Sequence, residues 1–147
     1  MKVVLLSKFS IEPKKAHPED AGFDLFIPKN YFQNNDFYLQ PGERIMIGLG
    51  IKCGDFPLGC YARIAPKSGL ACKSGLDVLG GVCDRNYTGE YKVIVVNLDK
   101  ENAVLLTGGM KIAQLIVEKY SDVKVELVDS LEDTSRGEGG FGSTGSH

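Results

Sequence analysis

Short runs of Val, Ile, Leu, Tyr and Phe recur along this chain, each a few residues long and each bounded by glycine, proline or asparagine. Runs of that length are too short to stand as helices, and their apolar alternation suits strands that bury a face against neighbours. The pattern predicts an all-β domain of many short strands. Strands are expected near residues 2–6, 21–26, 37–39, 44–53, 60–64, 90–97, 104–106, 111–118 and 123–128. One helix of a turn or two is expected after Ser68, running through Leu70, Ala71 and Cys72 and halted by Gly75. Residues 13–20, with two prolines and alternating charge, and residues 28–35 read as loops. From about residue 130 the apolar periodicity ends, which divides the chain into a β domain over 1–129 and a glycine-rich tail over 130–147. No repeat with a solenoid period occurs.

A chain of 147 residues suits one domain that buries roughly two thirds of the surface its unfolded form exposes. Its formal charge of −2 argues against DNA or RNA as a partner, because a phosphate backbone is neutralised by clustered Lys and Arg. A single small phosphorylated ligand remains compatible. Cys53, Cys60, Cys72 and Cys83 show no metal-binding spacing and the only histidines are His17 and His147, so free thiols are expected rather than a zinc site. No secretion signal and no apolar run of membrane-spanning length is found. A soluble protein of a reducing compartment, cytoplasmic or nuclear, is expected.

The tail carries the segment RGEGGFGSTG, residues 136–145. Glycines let backbone amides approach an anion, Arg136 offers a planar fork for two phosphate oxygens, and Ser143 and Thr144 add hydroxyl donors. Phe141 has no core to enter among so many glycines, and its face suits a nucleobase. A solvated tail is the competing reading of the same composition. A P-loop is excluded, since no Lys precedes the Ser-Thr pair.

Other segments join turn-forming residues to groups that phosphate chemistry uses. In AGFDLF, Asp24 alternates with Phe23 and Leu25 and is expected on the opposite face, either solvated or paired with a cation. In APKSGL, Lys67, Ser68 and Gly69 stand where a strand gives way to the short helix, as an anion site or as an ordinary helix start. In GGVCDRNYTGE a hairpin is expected, with Asp84 and Tyr87 at its tip. A carboxylate there suits proton removal from water, and an Asx turn with a surface tyrosine is the plainer alternative. In KIAQLI, Gln114 shares a face with Ile112 and Ile116, so its amide needs a hydrogen-bond partner, with a phosphate oxygen or an ordered water as a candidate.

Taken in order, AGFDLF, APKSGLA, GVCDRNYTGEYKVIVVN, GMKIAQL and RGEGGFGSTG resemble the five motifs of the trimeric dUTP diphosphatases, the dUTPases, over residues 21–145. The resemblance implies a jelly-roll-like (β-clip) fold and a homotrimer whose active sites lie at subunit boundaries. It implies hydrolysis of dUTP to dUMP and pyrophosphate with magnesium, which keeps uracil out of DNA and supplies dUMP for thymidylate synthesis. Asp84 would orient the attacking water at the α-phosphorus and bond the 3′-hydroxyl, and Asp24 would hold a magnesium-bound water. Lys67, Ser68, Gly69 and Gln114 would bind phosphate oxygens. Tyr87 would lie against the deoxyribose and leave no room for a 2′-hydroxyl. The backbone from Gly81 through Val82 and Cys83 to Tyr91 would read the uracil edge. Arg136, Gly142, Ser143 and Thr144 would close on the terminal phosphates, with Phe141 over the base.

Three positions depart from the family's usual pattern. Lys67 replaces a more frequent arginine, which keeps the charge and gives up the bidentate fork. Cys83 stands where Ile or Val is commoner, and Met110 occupies a turn position that is often acidic. Two rival readings are a dCTP deaminase-related enzyme and a nucleotide-binding trimer without turnover. The host is open, cellular or viral.

Overall fold

The computed structural model describes residues 1–33 and 36–139. Among these the chain forms eleven strands and one helix. In order they are β1 (Lys2–Leu5), β2 (Gly22–Phe26), β3 (Phe37–Leu39), β4 (Arg44–Gly48), β5 (Ile51–Gly54), β6 (Cys60–Ala65), α1 (Ser68–Ser74), β7 (Leu76–Leu79), β8 (Val82–Cys83), β9 (Lys92–Asn97), β10 (Val104–Leu106) and β11 (Lys111–Lys119). The strands pair antiparallel in a four-stranded sheet, β2-β11-β6-β8, a three-stranded sheet, β4-β9-β7, and two ribbons, β1-β5 and β3-β10. This is the all-β arrangement of short strands that the apolar runs predict, and it is jelly-roll-like, as the resemblance implies.

Apolar alternation decides which faces meet. In β10, Val104 and Leu106 point inward while Leu105 faces out, and in β9 the inward Val93 and Val95 flank the more exposed Ile94. Leu25, Ile47, Leu115 and Tyr91 are among the fully buried side chains of the single core cluster. Each fully buried aliphatic side chain contributes about 1.5–3 kcal/mol relative to exposure. The helix stops where expected, with Gly75 in the left-handed region and its amide bonded to Ala71. Its N-cap is Lys67 rather than Ser68, and no side chain caps it.

Four expectations change. The run over 44–53 is two strands, because Gly50 turns the chain with φ +66° between β4 and β5. Two short strands, β7 and β8, lie in a stretch where none was expected. The hairpin expected around Asp84 is instead a crossing between sheets, since β8 pairs with β6 and β9 pairs with β4 and β7. Residues 123–128 form no strand: Val125 is 90% exposed and Leu127 96%, with no pairing partner among the described residues. An alternating pattern supplies an apolar face, yet a strand also needs an edge to bond to.

Candidate active site

The four-stranded sheet sets three strands side by side so that Gln114 in β11 stands between Asp24 in β2 and Ala65 in β6. Ala65 ends β6, and Pro66 and Lys67 carry the chain into α1. Asp24 is only 6% exposed, so β2 is covered on both faces near it and the solvated reading does not hold. Its two oxygens pair with separate ammonium groups: Lys67 holds Oδ1, and Lys111 Nζ lies 2.7 Å from Oδ2. Gln114 donates from Nε2 to the Pro66 carbonyl at 2.9 Å, fixing the turn ahead of Ser68 and Gly69. An amide carries two N–H donors, so one remains for a ligand. Neither the Ser68 nor the Gly69 backbone amide donates to another described residue.

Burial alone would push the Asp24 carboxyl up, but hydrogen bonds from Lys111 and Lys67, together with their charges, hold it below the ordinary aspartate value. The folded state therefore takes up this proton less readily than the unfolded chain does. The resulting stability is fully present at neutral pH and is lost as pH falls below about 4, through the depressed folded value. Asp24→Asn removes the counter-charge between two lysines and is expected to lower stability at pH 7 by about 1–3 kcal/mol. It is also expected to shrink the further loss between pH 4 and pH 3. Denaturant unfolding at the three pH values measures both, and acid losses equal to the parent's would contradict the pairing.

The second group lies on β8 and the loop behind it. Gly81 has φ +94° and a Cβ there would run into the Ile64 carbonyl; the Ile64 amide donates to the Gly81 carbonyl at 2.7 Å. That close approach starts the two-residue pairing of Val82 with Arg63 and Cys83 with Ala62. As the sheet's edge strand, β8 turns its far side to solvent, and an edge offers unpaired backbone donors and acceptors. Asp84 then opens a turn closed by the Tyr87 amide donating to its carbonyl at 3.0 Å. The Asp84 side chain is exposed. It borders two cavities, one of about 650 Å³ that includes Leu58, Tyr61, Arg85 and Tyr120, and one of about 180 Å³ that includes Cys83, Tyr87, Glu90 and Lys92.

Tyr87 is 42% exposed, and its hydroxyl donates to the Glu90 carbonyl at 2.9 Å. Tyr91 differs from the expectation that it meets the substrate. Its ring is fully buried, its amide donates to Ile51, and its carbonyl accepts from Leu49. It forms the wall behind Tyr87, with ring centroids 5.8 Å apart. Burial and the neighbouring Asp84 carboxylate push the Cys83 thiol up, so this thiol stays protonated and weakly nucleophilic at neutral pH.

Within one chain the two groups are apart. Cys83 pairs with Ala62, which places Asp84 beside Tyr61 near the start of β6, whereas Lys67 lies beyond its other end. A strand rise of about 3.3 Å per residue separates Tyr61 from Lys67 by roughly 20 Å, more than a triphosphate spans. Neither cavity bordered by Asp84 includes Asp24, Lys67 or Gln114. In the tail, Arg136 is exposed and its Nε donates to the Gly139 carbonyl at 2.7 Å. Phe141, Gly142, Ser143 and Thr144 lie outside the described residues.

Two residues escaped the sequence reading. Lys111 sits one step before Ile112, and a register shift in β11 between Lys111 and Ala113 breaks the alternation that would have placed it. A basic residue at the head of a strand whose Gln114 needed a partner was the available signal. Glu90 gave none, because its partner, the Gly50 amide, lies far along the chain.

The family model described as dUTPase matches residues 9–145, a stretch that holds all five motif segments. The chain belongs to the dUTPase family. A dUTPase relative, the deoxyuridine 5′-triphosphate nucleotidohydrolase of Corynebacterium glutamicum, is 42% identical over 147 residues, covering 99% of this chain and 94% of its own. The mouse protein of the same name is 40% identical over 145 residues, covering 99% of this chain and 85% of its own. Among solved dUTPases, that of Staphylococcus bacteriophage 80alpha with dUPNHPP superposes with a TM-score of 0.80 at 25% identity, covering 98% of this chain and 97% of that one. A dUTPase variant from phage phi11 of S. aureus, described with a coordinated structural Mg(II) ion, superposes with a TM-score of 0.75 at 21% identity, covering 90% of this chain and 98% of that one. The last likeness bears on the fold alone.

Proposed function

We propose that the chain hydrolyses dUTP to dUMP and pyrophosphate, with Asp84 orienting a water for in-line attack on the α-phosphorus. The observation that carries this reading is the position of Asp84 in a dUTPase chain: an exposed carboxylate on a closed turn, between two cavities and beside Tyr87. Phosphoryl transfer asks for little covalent help, so an aimed water and fixed cations supply most of the barrier reduction. The outer edge of β8, with Gly81 before it, is suited to reading the base by main-chain groups. Cytosine would meet it with the wrong donor pattern, and each group left unpaired costs about 1–3 kcal/mol. The Tyr87 ring lies against the deoxyribose and excludes a 2′-hydroxyl.

Lys67, Ser68, Gly69 and Gln114 take the phosphate oxygens, and Lys111 adds a second cation beside Lys67. Asp24 is the carboxylate suited to a magnesium-bound water. The donor chemistry fits such an ion, because Asp24 offers one carboxylate and magnesium is commonly held by one or two carboxylates, waters and substrate phosphates. When bound, the ion neutralises phosphate charge. Lys67 and Lys111, drawn toward phosphate, would release the Asp24 oxygens for that role.

The site is completed by other copies of the chain in a homotrimer. Two observations support this: the roughly 20 Å of strand between Asp84 and Lys67, and the exposed alternation of Val123, Val125 and Leu127. Arg136 and the residues after it close over the site from the tail. Ending the chain at Ser135 is expected to lower kcat/KM for dUTP by about 10²-fold and leave the melting temperature unchanged. A large fall in melting temperature would show that the tail is part of the fold.

A panel of dUTP, dCTP, dTTP and UTP with magnesium tests the reading. Pyrophosphate release from dUTP, stopped by EDTA, is the expected result. Ammonia release from dCTP would favour a deaminase, and dUTP binding without product would favour a non-catalytic trimer.

A further inference from the structure

The loop behind Asp84 is anchored at its far end to the turn between β4 and β5. There the Leu49 amide donates to the Tyr91 carbonyl at 3.0 Å, the Tyr91 amide donates to the Ile51 carbonyl at 2.9 Å, and the Gly50 amide donates to Glu90 Oε1 at 3.0 Å. The turn admits the carboxylate because residue 48 is a glycine: a Cβ there would lie 2.7 Å from Oε1. On its other side, the Glu90 carbonyl accepts the Tyr87 hydroxyl at 2.9 Å. The Tyr87 ring rests on Gly89, where a Cβ would strike the phenol oxygen. Glu90 thus joins two bonds in series, one from its side chain to the part-buried β4–β5 turn and one from its carbonyl to an exposed ring.

We propose that Glu90 is a positioning residue for sugar selection: its carboxylate ties the Tyr87 ring to the β4–β5 turn and so fixes the wall that rejects a ribonucleotide. The inference rests on the reading of Tyr87 as that wall. Rejection of an added hydroxyl by shape alone is weak, and it vanishes if the wall yields by a fraction of an ångström. Tyr87 is half-exposed, so its own packing leaves it room to swing. Without the carboxylate, the Gly50 amide loses its acceptor, and the peptide group that carries the residue 90 carbonyl is held to the turn only through the Tyr91 amide's bond to Ile51, which leaves it a hinge on which the ring can tilt.

The test compares kcat/KM for dUTP and UTP in the parent chain and in Glu90→Ala, Glu90→Asp, Glu90→Gln and Tyr87→Ala. Glu90→Ala and Glu90→Asp are expected to lower the dUTP-to-UTP ratio about tenfold. The aspartate keeps the charge and loses the reach, and it serves if the alanine variant folds poorly. Glu90→Gln can accept the same Gly50 bond, so it is expected to hold the parent ratio. An unchanged ratio in the alanine and aspartate variants, with only the melting temperature lowered, would overturn the proposal. Tyr87→Ala separates the two layers: if it also leaves the ratio unchanged, the sugar-wall reading is wrong and the role of Glu90 falls with it.

Discussion

Asp84→Asn is expected to lower kcat for dUTP by about 10²- to 10⁴-fold while dUTP affinity stays close to that of the parent. The swap keeps the shape of the side chain and removes the oxygen that takes a proton from water. Because the Asp84 carbonyl, and not its carboxylate, closes the turn with Tyr87, the loop should keep its form. Steady-state pyrophosphate release gives kcat, and equilibrium binding of a non-hydrolysable dUTP analogue gives the affinity. A variant that turns over at the parent rate would remove Asp84 from the reaction. A variant that fails to bind would make it a ligand contact rather than a base.

Mixing two inactive variants is expected to restore activity. One partner carries Asp84→Asn and the other carries Lys67→Ala with Ser68→Ala. If a site takes Asp84 from one copy and the phosphate cluster from another, random exchange of equal amounts leaves about a quarter of sites with both groups intact. Activity should rise to a similar fraction of the parent after the chains are unfolded and refolded together, and not when they are merely combined at low concentration. If each copy supplied both groups to its own site, no mixture would exceed its components. The basis is geometric: Asp84 stands beside Tyr61, and Lys67 lies past the other end of β6.

Local pattern made part of this legible. Runs that bury one face announced β3, β9, β10 and β11, and Gly75 announced the end of α1. Five fragments in order pointed to the dUTPases, and the family match over 9–145 agrees. What stayed hidden depends on partners distant in sequence. β8 has only two residues and exists because Gly81 lets it approach Ile64, so no periodicity could reveal it. Whether Asp24 is solvated or paired with a cation stayed open in the sequence because alternation describes one sheet face at a time and cannot see Lys67 and Lys111 arriving from other elements. Tyr91 was expected to meet the base as the end of the backbone stretch from Gly81 that the resemblance assigns to the uracil edge; its ring turns inward with the alternation of β9 that follows, and both its backbone groups bind the β4–β5 turn.

On the reading given to β8, the nucleobase behaves as a transient third rung on a ladder that ends at Cys83. Recognition of that kind is written in peptide groups common to every amino acid, so drift at Val82 or Cys83 can change size and polarity without erasing the message. Only a residue lacking an N–H can delete a letter, which makes proline the one substitution such a reader cannot absorb.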